Sequence, residues 1–271
     1  MQMKELIERL VKKANFSLRK DVLSLLKNAY QKEKNKKVKI ALGWILENCF
    51  IAQKENIAIC QDTGLPILFW EVGKDVKLNY RLVKKVEKLI EESYKKYFLR
   101  PSVVSVLKRG TPGYKGVVSC IEFTSTKAIK LTLLVKGFGS ENKTQLKMFN
   151  PTSLWEEIED FVIESIKKAG PQSCPPFVVG VGVGGTSESC LTLAKKSLLE
   201  RLDKPNKDNF LARLERRLLK RINALKIGPF GFGGNFTALA VRIKTSPTHI
   251  AGLPVAVNIS CWALRSAEIK L

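Results

Sequence analysis

In the first fifty residues, hydrophobic positions recur at helical spacing. Leu6, Leu10 and Val11 fall on one stripe, and Val22, Leu23, Leu25 and Leu26 on a second. They predict two helices, with Ser17 placed to cap the second. A third helix follows from about Lys37 to Phe50. The period then shortens. Ile57-Ala58-Ile59 and Ile67-Leu68-Phe69-Trp70 read as strands on either side of Cys60-Gln61-Asp62-Thr63-Gly64. Tyr80 to Phe98 returns to a helix, with apolar residues at 82, 83, 86, 89, 90, 94 and 97.

Two strands are predicted over 117–123 and 128–136, the second strongly β-prone from Lys130 to Val135. Trp155 to Ala169 reads as a helix, introduced by Pro151 and by Ser153-Leu154-Trp155-Glu156 as a capping box. Phe177 to Val183 reads as a buried strand running into Gly184-Gly185. Helices from Glu188 to Leu202 and Phe210 to Leu225 flank a polar loop at 203–209. Strands follow at 237–244 and 253–257. The expected fold is mixed α/β: a helical region at 1–50 and a body at 51–271 in which a mixed sheet packs with helices, together one domain over 1–271. Its order of elements does not give an alternating parallel sheet.

The chain has 271 residues and a net charge of +22. That excess suits an anionic partner, but it is spread along the chain. No five basic residues are consecutive, and aromatics do not interleave with them as in a stacking surface. It reads as a lysine-rich solvated surface, and specific nucleic-acid binding is not expected. No apolar run reaches the length of a membrane span, and the N-terminal residues lack the apolar stretch of a signal peptide. The expected location is the cytoplasm, with no membrane partner, where thiols stay reduced.

Three of the six cysteines stand in distinctive surroundings: Cys60 in the Cys-Gln-Asp-Thr-Gly turn, Cys174 before Pro175-Pro176, and Cys261 in Asn258-Ile259-Ser260-Cys261-Trp262. They lie 114 and 87 residues apart, which excludes the closely paired cysteines of a zinc ribbon. Cys49, Cys120 and Cys190 read as small hydrophobes. Gly180-Val181-Gly182-Val183-Gly184-Gly185-Thr186 follows a strand and precedes a helix. It fits close backbone packing or anion binding, and it departs from the dinucleotide fingerprint. Gly228 to Asn235 is a second glycine loop, open to either a ligand or plain turn chemistry. His249, the only histidine, is either a hydrogen-bonded structural residue or a proton-transfer group.

Taken together, these segments resemble the α subunit of class I, iron–sulfur fumarate hydratases. The same unit occurs in L(+)-tartrate dehydratases and as the N-terminal domain of single-chain class I fumarases. The resemblance rests on Cys60–Gly64, Arg100-Pro101-Ser102, Lys136–Asn142, Cys174–Thr186, Ile227–Gly234 and His249–Trp262, and it covers nearly the whole chain. It implies that Cys60, Cys174 and Cys261 hold a 4Fe–4S cluster. Asp62 matches the base at the carbon that loses a proton, and His249 joins it among the catalytic positions. Gln61, Arg100 and Gly139 match substrate contacts.

The implied reaction is reversible hydration of fumarate, a small dicarboxylate, to L-malate, shared with a separate β subunit in an α2β2 assembly. The positive charge predicts an acidic face on that partner. The alternatives are dehydration of L(+)-tartrate or a related hydroxy-dicarboxylate, and a non-catalytic cluster-bearing subunit. Two positions depart from the family pattern. Residues 109–115 read Arg-Gly-Thr-Pro-Gly-Tyr-Lys where an Asp-Asn pair is usual, and Phe138 stands where a small residue is usual.

Overall fold

The computed structural model describes residues 2–271. In chain order its elements are α1 (Met3–Phe16), α2 (Lys20–Lys32), α3 (Lys36–Glu55), β1 (Leu65–Gly73), α4 (Tyr80–Lys96), β2 (Val118–Thr124), β3 (Ile129–Lys136), α5 (Phe138–Glu141), β4 (Gln145–Phe149), α6 (Trp155–Ala169), β5 (Phe177–Gly185), α7 (Ser187–Ser197), α8 (Asn209–Ala224), β6 (Ala238–Thr248), β7 (Leu253–Ser260) and β8 (Arg265–Lys270). The class is mixed α/β, as expected, with two four-stranded sheets rather than one. Two compact units carry them. The first comprises 1–19, 48–138 and 265–271, the second 20–47 and 139–264. The division runs through the helical stretch at its start, since α1 belongs to the first unit and α2 to the second.

The first unit's sheet has the order β2-β1-β3-β8. β1 is parallel to β2 and antiparallel to β3, and β3 is antiparallel to β8. Its buried face takes Leu68, Trp70, Leu131 and Leu133 against Ile7, Leu10, Val11 and Ala14 of α1 and Val86, Ile90 and Tyr94 of α4. The helical spacing of these residues sets the face each helix buries. Asn79 caps α4 by accepting from the Leu82 amide at 2.9 Å.

The second unit's sheet has the order β4-β7-β5-β6, with β5 parallel to β6 and antiparallel to β7. β5 explains its own composition. Strand side chains alternate between faces, so Phe177, Val179, Val181 and Val183 share one face, in a core with Ile158, Val162 and Ile166 of α6 and Leu214, Leu218 and Ile222 of α8. Gly180 and Gly182 share the other, against α7. A Cβ on Gly180 would stand 2.2 Å from the Ala194 carbonyl, and one on Gly182 2.3 Å from that of Cys190. At these positions the glycines serve close helix-on-sheet packing. The cap of α7 is Thr186, whose hydroxyl faces the Ser189 amide.

Some local expectations change. Ser17 does not cap α2; its hydroxyl donates to the Lys13 carbonyl at 2.9 Å and closes α1. Ile57–Ile59 forms no strand, because the Ile59 backbone is taken by Asn15 O and by the Asn48 amide group, at 3.0 and 2.9 Å, rather than by a neighbouring strand. The carboxylate that caps α6 is Glu157, not Glu156. It accepts from the Leu154 amide and from the Ser153 hydroxyl. α7 ends at Ser197, short of Leu202, and α5, β4 and β8 are additional elements.

Gly182→Ala is expected to lower the free energy of unfolding by about 1–3 kcal/mol, because the new methyl group overpacks the α7 backbone. Urea denaturation reads this directly, and an unchanged midpoint would mean that α7 moves away at little cost.

Candidate functional site

In the first unit the expected site residues gather at one edge of the sheet. The antiparallel register places the start of β1, the end of β3 and the start of β8 side by side: Leu65 faces Lys136, and Val135 faces Arg265. The Cys60–Gly64 turn leads into that edge. Asp62 is its anchor. Its Oδ1 accepts the Gly64 amide at 2.9 Å and its Oδ2 the Phe138 amide at 2.7 Å. Gly64 sits at φ +64°, and a Cβ there would lie 2.8 Å from the Lys136 carbonyl, so the turn requires glycine. The Thr63 hydroxyl donates to the Arg100 carbonyl at 3.0 Å, and the Tyr94 hydroxyl to the Thr63 carbonyl at 3.3 Å. Cys60, Gln61, Asp62 and Arg100 are thereby brought together. Gln61 and Arg100 are exposed, and Cys60 and Asp62 half-buried.

The two departures from the family pattern touch this edge differently. Phe138 serves Asp62 through its amide, which any non-proline residue would supply, and its ring stays half-exposed. The 109–115 segment folds back through a bridge between Val103 and Gly113. With α4 it borders a cavity of about 920 Å³ lined by Lys84, Glu87, Glu91 and Lys115. None of the expected site residues lines it.

In the second unit, Cys174, Cys261 and Gly139 come together. Cys174 follows a 3-10 turn, Pro171–Ser173, in a left-handed conformation at φ 54°. Its amide donates to the Pro171 carbonyl, and its own carbonyl accepts the amide of Trp262, the residue after Cys261, at 3.1 Å. The Ser173 hydroxyl donates to the Gly139 carbonyl at 3.2 Å. The second glycine loop packs on this turn. The Phe230 amide donates to the Pro175 carbonyl, and a Cβ on Gly231 would stand 2.7 Å from Pro171. Glu33, at the end of α2, holds the loop from the other side by accepting the Asn235 amide at 2.8 Å.

His249 does not join this group. β5 starts beside Cys174 and pairs Val178 with Ser260, whereas its far end pairs Gly185 with Thr248. His249 therefore stands at the opposite end of the sheet, roughly 25 Å along the strand at about 3.3 Å per residue. It is exposed, and its Nδ1 accepts the Ala251 amide at 3.1 Å, which places the proton of the neutral ring on Nε2.

The cysteines fall into distinct environments. Cys49 and Cys190 are buried, and burial pushes their thiols up to about 12 and about 11. The Cys190 thiol also donates to the Gly182 and Pro254 carbonyls. Cys174 is exposed, and Cys60, Cys120 and Cys261 are intermediate. Among the described residues, no three or more His, Cys, Asp or Glu side chains form a group that would hold a metal ion.

The family model for fumarate hydratase (fumerase) matches residues 4–270. A Methanocaldococcus jannaschii protein, provisionally named L(+)-tartrate dehydratase subunit alpha, is 38% identical over all of this chain and 99% of its own. The L(+)-tartrate dehydratase alpha subunits of Escherichia coli and Shigella sonnei are each 29% identical over 92% of this chain and 84% of their own. The chain belongs to the fumarate hydratase family, and with it to the hydro-lyases.

In the metal-free native protein at pH 8, iodoacetamide is expected to label Cys174 first and to leave Cys49 and Cys190 unmodified until denaturant is added, since a neutral thiol reacts slowly. Peptide mass spectrometry checks the order. Early modification of Cys190 would contradict the burial described here.

Proposed function

We propose that this chain is the α subunit of an iron–sulfur hydro-lyase that interconverts fumarate and L-malate in the cytoplasm, together with a separate β subunit. The observation that carries this reading is the Asp62 carboxylate, clamped by two backbone amides beside Cys60, Gln61 and Arg100. In the dehydration direction Asp62 takes the proton from the carbon next to a carboxylate. The C–H electron pair becomes the C=C bond, the C–O bond breaks, and the departing hydroxide combines with a proton from an acid assigned, by resemblance, to the β subunit. Each Asp62 oxygen already accepts one amide, which fixes the carboxylate plane while leaving lone-pair capacity for the transferred proton. Arg100 offers a bidentate partner for the substrate carboxylate on which negative charge builds. Gln61 and the Gly139 backbone are the further proposed contacts.

Cys60, Cys174 and Cys261 would hold a 4Fe–4S cluster. The donor chemistry fits. Cys60, Cys174 and Cys261 lie outside the deep core, as does Cys120, whereas Cys49 and Cys190 are buried, and in a cubane each thiolate binds a different iron, so the ligands need not meet at one point. When bound, a cluster with three protein thiolates supplies an iron open to substrate oxygen as a Lewis acid. His249, at the far end of its sheet from Cys174 and Cys261, has no step in this proposal.

A second reading is favoured by the names of the relatives, L(+)-tartrate dehydratase subunit alpha in Escherichia coli and, provisionally, in Methanocaldococcus jannaschii. L(+)-tartrate differs from malate by one hydroxyl, and the same clamp would serve both. The test is anaerobic reconstitution with iron and sulfide, with and without the β partner, followed by assays on fumarate, malate and tartrate. Near four irons per chain are expected, with none in the Cys60→Ser/Cys174→Ser/Cys261→Ser variant, and turnover of fumarate and malate above tartrate. Turnover of tartrate alone would transfer the assignment to the second reading, and no turnover of any of the three would end both. Asp62→Asn is expected to reduce kcat by about 10²–10⁴ with the iron count unchanged.

A further inference from the structure

The proposed chemistry leaves two buried charged side chains at the first unit's site edge without a role, Lys136 and Arg265. Arg265, the first residue of β8, is only 1% exposed. Its Nε and Nη1 have no hydrogen-bond partner. Pairing with Val135 sets it beside the Lys136-Gly137-Phe138 segment. A Cβ placed on Gly137 would stand 3.1 Å from Asp62 Oδ2 and 3.3 Å from Arg265 Nη2. The carboxylate and the guanidinium therefore flank the same point, and Gly137 has no side chain to fill it.

A third group registers both charges. The buried Tyr94 hydroxyl, which donates to the Thr63 carbonyl, is pushed up to about 12 by burial, with Arg265 pulling it down and Asp62 pushing it up. A buried cation with unsatisfied N–H groups is costly to the fold. Such a cost points to a gain made elsewhere than in stability.

We propose that Arg265 is a positioning residue for Asp62, its charge holding the carboxylate and the Gly137-Phe138 turn in the orientation from which Asp62 acts. This deepens the reading of Asp62 as the base and rests on it. Arg265 touches no substrate in this account. Its buried, partner-poor guanidinium acts across Gly137 on a carboxylate whose remaining contacts are backbone amides.

The experiment uses the anaerobically reconstituted α/β complex carrying Arg265→Met, Arg265→Lys, Asp62→Asn and the double variant Asp62→Asn/Arg265→Met. Arg265→Met is expected to lower kcat roughly ten- to a hundredfold with KM changed less than about twofold. Its melting temperature should stay level or rise, because removing a buried charge with two unpartnered guanidinium nitrogens relieves the fold. Arg265→Lys should recover part of kcat. In the Asp62→Asn background, Arg265→Met should cost nothing further.

An unchanged kcat in Arg265→Met overturns the proposal. So does a rise in KM alone, which would make Arg265 a substrate-carboxylate ligand. Additive losses in the double variant overturn it too, as does a fall in melting temperature that accounts for the lost activity in both Arg265 variants. An inactive wild-type complex removes the base assignment and this inference with it. An active wild type with a fully active Arg265→Met removes this inference alone.

Discussion

The Asp62 carboxylate accepts the amides of Gly64 and Phe138, and the geometry of the first unit's site follows from that pair of bonds. One closes the turn that carries Cys60 and Gln61 into β1. The other ties that turn to the exit of β3. Because β1, β3 and β8 are successively antiparallel, the start of one strand meets the end of the next at a single sheet edge. The turn requires glycine at 64, where the chain passes 2.8 Å from the Lys136 carbonyl. It also explains why Phe138 leaves the anchor intact, since the contact is made by backbone.

The second unit is organised by close approach. Without Cβ atoms at 180 and 182, the α7 backbone lies directly on β5, and the valines between the glycines are left to fill the opposite core. That packing fixes the ends of β5. One end carries the Cys174 turn, hydrogen-bonded to Trp262 beside Cys261; the other carries the Gly184-Gly185 bend and His249. A strand is a rigid spacer, so the same geometry that unites Cys174 with Cys261 holds His249 away from them.

Burial sorts five of the six cysteines; Cys120 falls in the same intermediate range as Cys60 and Cys261. Cys49 and Cys190 are filler, their thiols suppressed by desolvation, and Cys190 is further occupied by two carbonyls. Cys60, Cys174 and Cys261 lie in turns or at strand ends, where backbone conformations such as the left-handed Cys174 present a side chain outside the core. Separating these roles requires burial, because a cysteine that fills a core and one that binds metal are the same residue type.

The sequence by itself determined most of the long elements. Their amphipathic period is a local property, and α4, α6, α8, β3 and β5 lie within a few residues of where that period puts them. The ordered motifs likewise located the turns that carry Cys60, Asp62, Cys174 and Cys261. Tertiary structure decided what depends on distant partners. Ile59 spends its backbone on Asn15 and Asn48 instead of a strand. Ser17 closes the helix before it, and Glu157 replaces Glu156 as the capping carboxylate because the N-cap of α6 is Leu154 rather than Ser153. β8, which follows Cys261 too closely to stand out by pattern, is a strand because β3 offers it an edge. Arg265 shows the same limit: its residue type suggests surface, and only the pairing of β8 with β3 buries it beside Asp62. A one-dimensional pattern records which residues prefer water, whereas the sheet register decides which charges must share a place without it.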